Sequence, residues 1–242
     1  LQLLALVATV TLVYIYPLTL STPLIEPDEG LHATISQEML ERGDWVLPTF
    51  RGEPFLDKPI LYFWAQMVSL RIFGMTEQAV RLPGLLFGVL GAISTAALAA
   101  RLFDGATGRI ACLAALTMFI PAVLAQAAVH DVALVPFTNL AMLALWEMEQ
   151  SASRARRCLW LIFAALIFGL TILTKGLLGP AIVVAGFAGW LLLKKTTSVA
   201  VWARLFATVA GGAVVASPWF IAVEFRVPGY LYYYFVERHI LG

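Results

Sequence analysis

Long apolar stretches without a single ionisable side chain dominate this sequence. Seven of them lack Asp, Glu, Lys, Arg and His altogether: 1–25, 82–100, 110–129, 132–146, 158–174, 176–193 and 205–223. A helix that crosses the hydrocarbon core of a bilayer needs about 20 mostly apolar residues, so each stretch predicts one membrane-spanning helix. The fourth is short and needs Asp131 or Glu147 at its ends. We therefore predict an all-α polytopic membrane protein with seven spans.

Composition agrees with a membrane protein and excludes one class of partner. Charged residues make up 13% of the chain and mean hydropathy is +0.86, whereas soluble domains carry about 25% charged residues. The net charge is +1, and no basic run interleaved with aromatic residues marks a nucleic-acid surface, so nucleic acid is excluded as a partner. Cys112 and Cys158 lie in apolar surroundings and are expected to be buried hydrophobic residues.

The two ends of the sequence predict a fragment. The chain begins at Leu1 inside an apolar stretch, without an initiator Met, and ends at Gly242 after an aromatic, charged segment. The first stretch has no basic start and no small-residue cleavage site, so we expect an uncleaved span rather than a signal peptide. We interpret 1–242 as the N-terminal part of a larger transmembrane domain.

Basic residues in the short connections set the predicted orientation, because Lys and Arg stay on the cytoplasmic side of a membrane. If the first span runs outward, the cytoplasmic connections hold Arg101, Arg109, Arg154, Arg156, Arg157, Lys194, Lys195 and Arg204. The outer short connections hold only Lys175. This asymmetry places the long 21–79 loop outside the cytoplasm.

The 21–79 loop is expected to be ordered. Residues 31–42 carry apolar side chains at helical spacing, and Gly43 follows as a C-cap. A second helix is predicted over 59–73, with Pro59 at its first position. This second helix also carries Tyr62, Phe63 and Trp64. Aromatic residues of this kind are typical of a helix in the headgroup layer, so we predict two interfacial helices in the loop.

Carboxylates occur beside predicted helix ends at three points. They are Asp28 and Glu29 after the first span, Asp57 before the second loop helix, and Asp131, which follows His130 between the third and fourth spans. Each Asp could simply cap a helix, because Asp is a preferred N-cap and suits the positive helix end. The alternative is acid–base catalysis on a substrate, since ionisable groups at membrane depth usually mark a functional site.

Two isolated lysines are candidates for binding a phosphate. Lys58 lies at the predicted start of the second loop helix, where unpaired amides also suit an anion. Lys175 stands between two apolar spans on the outer side, which is the disfavoured side for a cation. Both could instead be snorkelling side chains. The segment 230–239 is rich in tyrosine and is typical of an aromatic belt, and its His239 is either a surface residue or a metal ligand.

The predicted topology places these residues on one face of the membrane. The set comprises Asp28, Asp57, Lys58, Asp131, Lys175 and His239. Because the orientation was derived from other residues, their common side is an independent observation. We expect a shared outer vestibule that holds carboxylates for acid–base chemistry and lysines for a phosphate.

An ordered series of short motifs resembles a known enzyme group. The motifs are Pro27-Asp28-Glu29-Gly30, the segment from Glu38-Met39-Leu40 to Gly43-Asp44-Trp45-Val46, Asp57-Lys58-Pro59 followed by Tyr62 and Trp64, and Ala79-Val80-Arg81-Leu82-Pro83. Together they resemble the bacterial aminoarabinose lipid A transferases and, more loosely, the protein O-mannosyltransferases, both of the GT-C glycosyltransferase class. The resemblance covers essentially the whole chain.

The resemblance implies a GT-C membrane fold with further spans and a soluble C-terminal domain beyond this chain. It implies a sugar donor carried on a polyprenyl phosphate such as undecaprenyl phosphate, inversion at the anomeric carbon, and a lipid A, other glycolipid or protein acceptor at the periplasmic face of the bacterial inner membrane. By position, Asp28 matches the catalytic acid, Asp131 a second carboxylate, and Lys58 and Lys175 the lysines that contact the phosphate. Asp57 and His239 match positions that hold a divalent metal ion.

Two departures limit what the resemblance carries over. Asp57 stands where the group usually has Glu, which shortens a carboxylate in any metal site. Leu31 and His32 stand where the aminoarabinose transferases usually have Arg and Tyr. The sugar and the acceptor are therefore not inferred from the resemblance.

Our hypothesis is that Asp28, with Glu29 beside it, acts as general base on an acceptor hydroxyl, directly or with Asp131 orienting it. The oxygen then attacks the sugar C1 while undecaprenyl phosphate leaves, and Lys58, Lys175 and Arg81 neutralise the phosphate charge. The competing hypotheses are a transporter or flippase of a lipid-linked sugar, and an assembly subunit with a binding loop. A transporter should place ionisable groups near the midplane and show related halves, and the sequence shows neither.

Overall fold

The computed structural model describes residues 9–16, 23–24, 27–195 and 198–241. Its helices are α1 (Asp28–Arg42), α2 (Leu61–Phe73), α3 (Glu77–Leu102), α4 (Gly105–Thr117), α5 (Phe119–Gln126), α6 (Asp131–Gln150), α7 (Arg154–Lys175), α8 (Leu178–Leu193), α9 (Val199–Arg226) and α10 (Tyr230–Tyr232). Val10–Ile15 and Tyr233–Leu241 are π-helical, and a small antiparallel hairpin pairs β1 (Thr49–Phe50) with β2 (Glu53–Pro54).

Four of these helices, α3, α6, α7 and α9, are long and apolar enough to cross a membrane. They coincide with the second, fourth, fifth and seventh predicted spans, and the all-α prediction is confirmed. The sixth predicted span is α8, an apolar helix of 16 residues. Most of the first predicted span, 1–25, lies outside the described residues.

The third predicted span, 110–129, is not one continuous helix. It is divided between α4 and α5, which meet at 59° around Met118. Pro121 explains the break, because a proline ring clashes with the carbonyl group four residues earlier, here that of Thr117, and cannot donate to it. The helix therefore ends at Thr117 and restarts with Pro121 in its first turn.

Pro83 lies inside α3, and side chains from α2 compensate for it. Because proline has no N–H, the carbonyl of Ala79 cannot receive the usual helical hydrogen bond. The Ser69 hydroxyl donates to that carbonyl at 2.6 Å instead. The Gln66 amide donates to the neighbouring Val80 carbonyl at 3.2 Å. The start of α3 is thus fixed against α2.

The two predicted loop helices are present, with corrected details. α1 begins at Asp28, and Gly43 adopts the expected left-handed conformation at its C-terminus, with φ of 64°. α2 begins at Leu61, two residues after Pro59, which is therefore not its first helical residue. Tyr62 and Phe63 are fully buried, because α2 packs between α1 and α3 and turns these rings into the protein interior.

The hairpin between the two loop helices was not predicted. The Glu38 carboxylate holds it, accepting hydrogen bonds from the Thr49 hydroxyl at 2.7 Å and from the amides of Arg51 and Gly52 at 2.6 and 3.2 Å. Burial raises the pKa of Glu38, but these three hydrogen bonds outweigh burial and bring the pKa below its usual value. The loop is therefore ordered, as expected, through the Glu38 carboxylate, to which the sequence analysis gave no structural role.

The chain forms two compact units, residues 1–136 and residues 137–242, and α6 begins in the first and continues into the second. In the second unit α7 packs closely on α9, since a Cβ at Gly169 or Gly212 would collide with the other helix. Arg204 on α9 makes a bidentate ion pair with Glu149 on α6. Cys158 is exposed, and Cys112 is half-buried against the apolar core of the first unit, so the prediction that both are buried was wrong.

Candidate functional site

The two adjacent acids at the start of α1 lie in different environments. Asp28 is exposed, whereas Glu29 is buried with 2% of its surface accessible. Pro27 occupies the N-cap position and α1 has no side-chain cap, so Asp28 is the first residue of the helix rather than its cap. Asp28 therefore does not cap α1, and the alternative that it serves only as a helix cap is wrong. Its carboxylate remains accessible at the positive end of the helix.

Glu29 is held by a buried ion pair. Arg81 on α3 donates to it twice, from Nε to Oε1 at 2.9 Å and from Nη2 to Oε2 at 2.7 Å. The Ala128 amide also donates to Oε1, at 3.0 Å. Arg81 Nη2 donates in addition to the Pro23 carbonyl at 2.9 Å. Arg81, predicted to contact a phosphate, thus has its Nε and Nη2 groups committed to the protein.

His32 lies one turn further along α1 and contacts the same residue, Ala128. Its Nδ1 lies 2.7 Å from the Ala128 carbonyl oxygen. Because a carbonyl only accepts hydrogen bonds, Nδ1 carries the proton and donates. The His32 ring is buried and packs edge-on against His130, with 4.5 Å between the ring centroids. The sequence pointed to His130 through its neighbour Asp131 but gave His32 no role.

Charges from three sequence motifs act on His32. Its pKa is lowered, chiefly because burial disfavours the charged ring. The hydrogen bond to Ala128 and the Asp28 carboxylate oppose this shift, Lys58 adds to it, and Asp131 opposes it. Asp28, Lys58 and Asp131 therefore lie within electrostatic range of one buried ring. The roles predicted for these three residues stay predictions.

The lowered pKa of His32 predicts a loss of stability in acid. Below about pH 6.5 the unfolded chain takes up a proton that the folded chain resists, so stability falls until the pH has dropped through the folded pKa. From about pH 7.5 to about pH 5 we expect the thermal unfolding midpoint of the chain in detergent to fall more than that of His32→Asn, which keeps a donor but cannot titrate. An equal fall in both proteins would contradict this.

Asp57 and Lys58 precede α2 rather than opening it. Both are partly exposed and lie in the connecting segment before Leu61, so Lys58 does not sit among the first amides of the helix as predicted. The N-cap residue is Ile60, so the free amides of the helix start belong to residues beyond Lys58. Lys58 is a partly exposed cation within electrostatic range of His32.

The second unit holds Lys175 and His239 at neighbouring points of its own structure. Lys175 ends α7, and Gly176 follows with φ of 63°. A Cβ at Gly176 would collide with the hydroxyl of the buried Tyr234. His239 Nδ1 donates to the Tyr234 carbonyl at 2.6 Å. The Lys175 turn and the 230–239 segment thus meet at Tyr234, and the roles of Lys175 and His239 stay predictions.

The metal roles predicted for Asp57 and His239 stay predictions. Among the described residues, no three His, Cys, Asp or Glu side chains are grouped so that they could hold a metal ion. Two donors of this kind do not form the set that a divalent cation requires. We therefore derive no step that uses a metal.

Comparisons with known proteins give the relationship of this chain. Residues 57–221 match the family described as dolichyl-phosphate-mannose-protein mannosyltransferase. The undecaprenyl phosphate-alpha-4-amino-4-deoxy-L-arabinose arabinosyl transferase of Edwardsiella ictaluri is 32% identical over 95% of this chain and 41% of its own length. The enzyme of the same name from Erwinia tasmaniensis is 30% identical over the same shares of the two chains.

Solved structures give the same relationship at the level of the fold. The crystal structure of ArnT from Cupriavidus metallidurans in the apo state has a TM-score of 0.87 and 29% identity, and that bound to undecaprenyl phosphate has a TM-score of 0.88 and 29% identity. Each match covers 98% of this chain and 44% of the solved chain. This chain thus spans less than half the length of the relatives it matches and has part of their GT-C membrane fold. It belongs to the dolichyl-phosphate-mannose-protein mannosyltransferase family, and within that family it is similar to the bacterial aminoarabinose transferases.

Proposed function

We propose that this chain is part of an inverting glycosyltransferase that moves a sugar from undecaprenyl phosphate to an acceptor hydroxyl at the periplasmic face of the bacterial inner membrane. The observation that carries the proposal is the contact of Glu29 and His32 with Ala128, which brings the helix start that bears Asp28 close to the one that bears Asp131. The charge of Lys58 acts on the same His32 ring. The names of the relatives, which are undecaprenyl phosphate aminoarabinose transferases, support the same chemistry. The acceptor is a lipid A, another glycolipid or a protein.

Two exposed carboxylates suit the acceptor half of the reaction. Asp28 and Asp131 are both accessible, and each is the first residue of its helix. We assign Asp28 as the general base that removes the proton of the acceptor hydroxyl and Asp131 as the residue that orients this hydroxyl. The freed oxygen attacks C1 of the sugar from the side opposite the phosphate, so the anomeric configuration inverts.

Lys58 is suited to the donor half of the reaction, in which the phosphate leaves. The bond from C1 to the phosphate oxygen breaks as the acceptor bond forms, and undecaprenyl phosphate leaves with the electron pair. Its growing negative charge needs a cation close by, where few waters compete. Lys58 lies in the same neighbourhood as Asp28 and is only partly exposed. Its compact ammonium group is well suited to a phosphate.

Replacement of Lys58 by Met tests the donor site. A charge-assisted hydrogen bond is worth about 1.5–3 kcal/mol, so we expect the affinity of the complete gene product for undecaprenyl phosphate to fall about 10- to 100-fold. Affinity for uncharged undecaprenol should not change. Arg71→Met is the matched control, because Arg71 is an exposed cation at the far end of α2. If both variants lose the same affinity, Lys58 does not bind the phosphate.

A second experiment separates transfer from transport. The complete gene product is reconstituted in vesicles with a labelled sugar on undecaprenyl phosphate and a lipid A acceptor. Covalent transfer of label to the acceptor supports the proposal. Movement of the labelled lipid between leaflets without transfer would instead support the transporter hypothesis.

A further inference from the structure

Glu29 and His32 together hold a single residue of the turn that precedes α6. They are three residues apart on α1 and so lie on one face of it. Glu29 accepts from the Ala128 amide at 3.0 Å, and His32 donates to the Ala128 carbonyl at 2.7 Å. Ala128 is fully buried. Both backbone groups of this buried residue are therefore satisfied by side chains of α1.

Arg81 fixes the direction of the Glu29 carboxylate. Its Nε and Nη2 groups bind the two carboxylate oxygens in parallel, at 2.9 and 2.7 Å. A bidentate pair of this kind sets the orientation of the carboxylate plane as well as its position. The same guanidinium binds the Pro23 carbonyl, which lies before α1. We call the set of Glu29, His32 and Arg81 around Ala128 the Ala128 clamp.

The Ala128 clamp connects the two exposed carboxylates of the site. Asp28 directly precedes Glu29, and Asp131 follows Ala128 by three residues. We infer that Glu29, His32 and Arg81 are positioning residues, which hold the start of α6 with Asp131 at a fixed place relative to the start of α1 with Asp28. The inference rests on the proposed function, because it gives the clamp a role in transfer. It gives Glu29 a positioning role in place of the predicted catalytic one. It likewise gives Arg81 a positioning role in place of the predicted contact with the phosphate.

His32 offers the sharpest test, because it can be changed without leaving a charge unpaired. His32→Leu removes the hydrogen bond to Ala128, whereas His32→Asn places an amide donor near the position of Nδ1. Since small misplacements of reacting groups cost about 100-fold in rate, we expect His32→Leu to lower kcat by about 10- to 100-fold with KM for the donor little changed. His32→Asn should restore most of kcat.

Ser36→Ala is the matched control. Ser36 lies one turn further along α1, is fully buried, and donates to Gln66 on α2 at 2.8 Å. Its loss also breaks a buried hydrogen bond of α1, but away from Ala128. We expect Ser36→Ala to lower the unfolding midpoint and to leave kcat per folded enzyme unchanged. If His32→Leu behaves in the same way, the clamp is only structural and the inference is overturned.

Glu29→Gln separates positioning from proton transfer. The amide can still accept from Ala128 through its oxygen, so we expect reduced kcat with the same acidic limb in the pH–rate profile, because the base is Asp28. Loss of that limb would make Glu29 the base and overturn the inference. If Glu29→Gln does not fold alone, the double variant Glu29→Gln with Arg81→Met, which leaves no unpaired charge, is measured in its place.

Hydrogen exchange tests the Ala128 clamp without a measurement of enzyme activity. In the complete gene product in nanodiscs, we expect exchange in the 127–131 backbone to be about tenfold faster in His32→Leu than in Ser36→Ala. Equal exchange would contradict the clamp. A wild-type protein that transfers no sugar would instead refute the proposed function, and with it the role of the clamp in transfer.

Discussion

Asp28→Asn in the complete gene product is expected to abolish sugar transfer while the protein stays folded. A general base typically contributes about 10²- to 10⁴-fold to a rate, and the amide of Asn cannot accept the acceptor proton. The substitution is nearly isosteric, and Asp28 is exposed and does not cap α1, so we expect the fold to tolerate it. Transfer of labelled sugar is measured together with the thermal unfolding midpoint.

Glu41→Gln is the control for this substitution. Glu41 is an exposed carboxylate near the other end of the same helix, where it accepts a hydrogen bond from Gln37 at 2.8 Å. Its replacement also removes one negative charge from α1 and should leave turnover unchanged. If Asp28→Asn retains near-normal turnover, Asp28 has no part in proton transfer.

Arg81→Met is expected to have the largest effect on stability. It leaves the Glu29 carboxylate buried without its cation, and breaking a buried pair in this way costs about 3–5 kcal/mol. The Arg42–Asp44 pair provides the contrast, because its charged atoms are 4.0 Å apart and the Arg42 side chain is 40% accessible. Exposed pairs contribute about 0–1 kcal/mol, so Arg42→Met should change stability little.

A second substitution shows whether the unpaired charge is the cause. With Glu29→Gln added to Arg81→Met, no charge is left buried, and the neutral side chain can still accept from Ala128. We expect much of the lost stability to return, as measured by chemical unfolding in detergent. Equal stability of Arg81→Met and Arg42→Met would mean that Glu29 is not stabilised by its buried ion pair.

The spans could be predicted because hydropathy reports how residues partition between water and lipid. Apolar stretches in the sequence were therefore enough to predict the positions of α3, α6, α7 and α9. It said less about backbone continuity, so the break at Met118 was missed although Pro121 gave a signal for it. The burial of Tyr62 and Phe63 was also missed, since aromatic residues at an interface and in a protein core look alike in a sequence.

Only some residues of the candidate site could likewise be predicted from the sequence. Asp28, Lys58 and Asp131 stood out because charges are rare in this chain, and the structure brings them near one ring. His32 did not stand out, because its role depends on the Ala128 carbonyl, which has no sequence signature. The sequence offered two signals: the departure of His32 from the residue usual in the aminoarabinose transferases, and its spacing of three from Glu29. Such spacing is common on helices, so neither signal indicated a role.

The sequence by itself determined that this chain crosses a membrane and that charged residues gather at the ends of its spans, because both follow from the cost of placing charge in lipid. Only the tertiary structure decided which of two adjacent acids faces outward and which is buried. The reason is distance along the chain: Glu29 is held by Arg81, 52 residues away, and by Ala128, 99 residues away. Asp28, one residue earlier on the helix, is turned away from both and stays accessible.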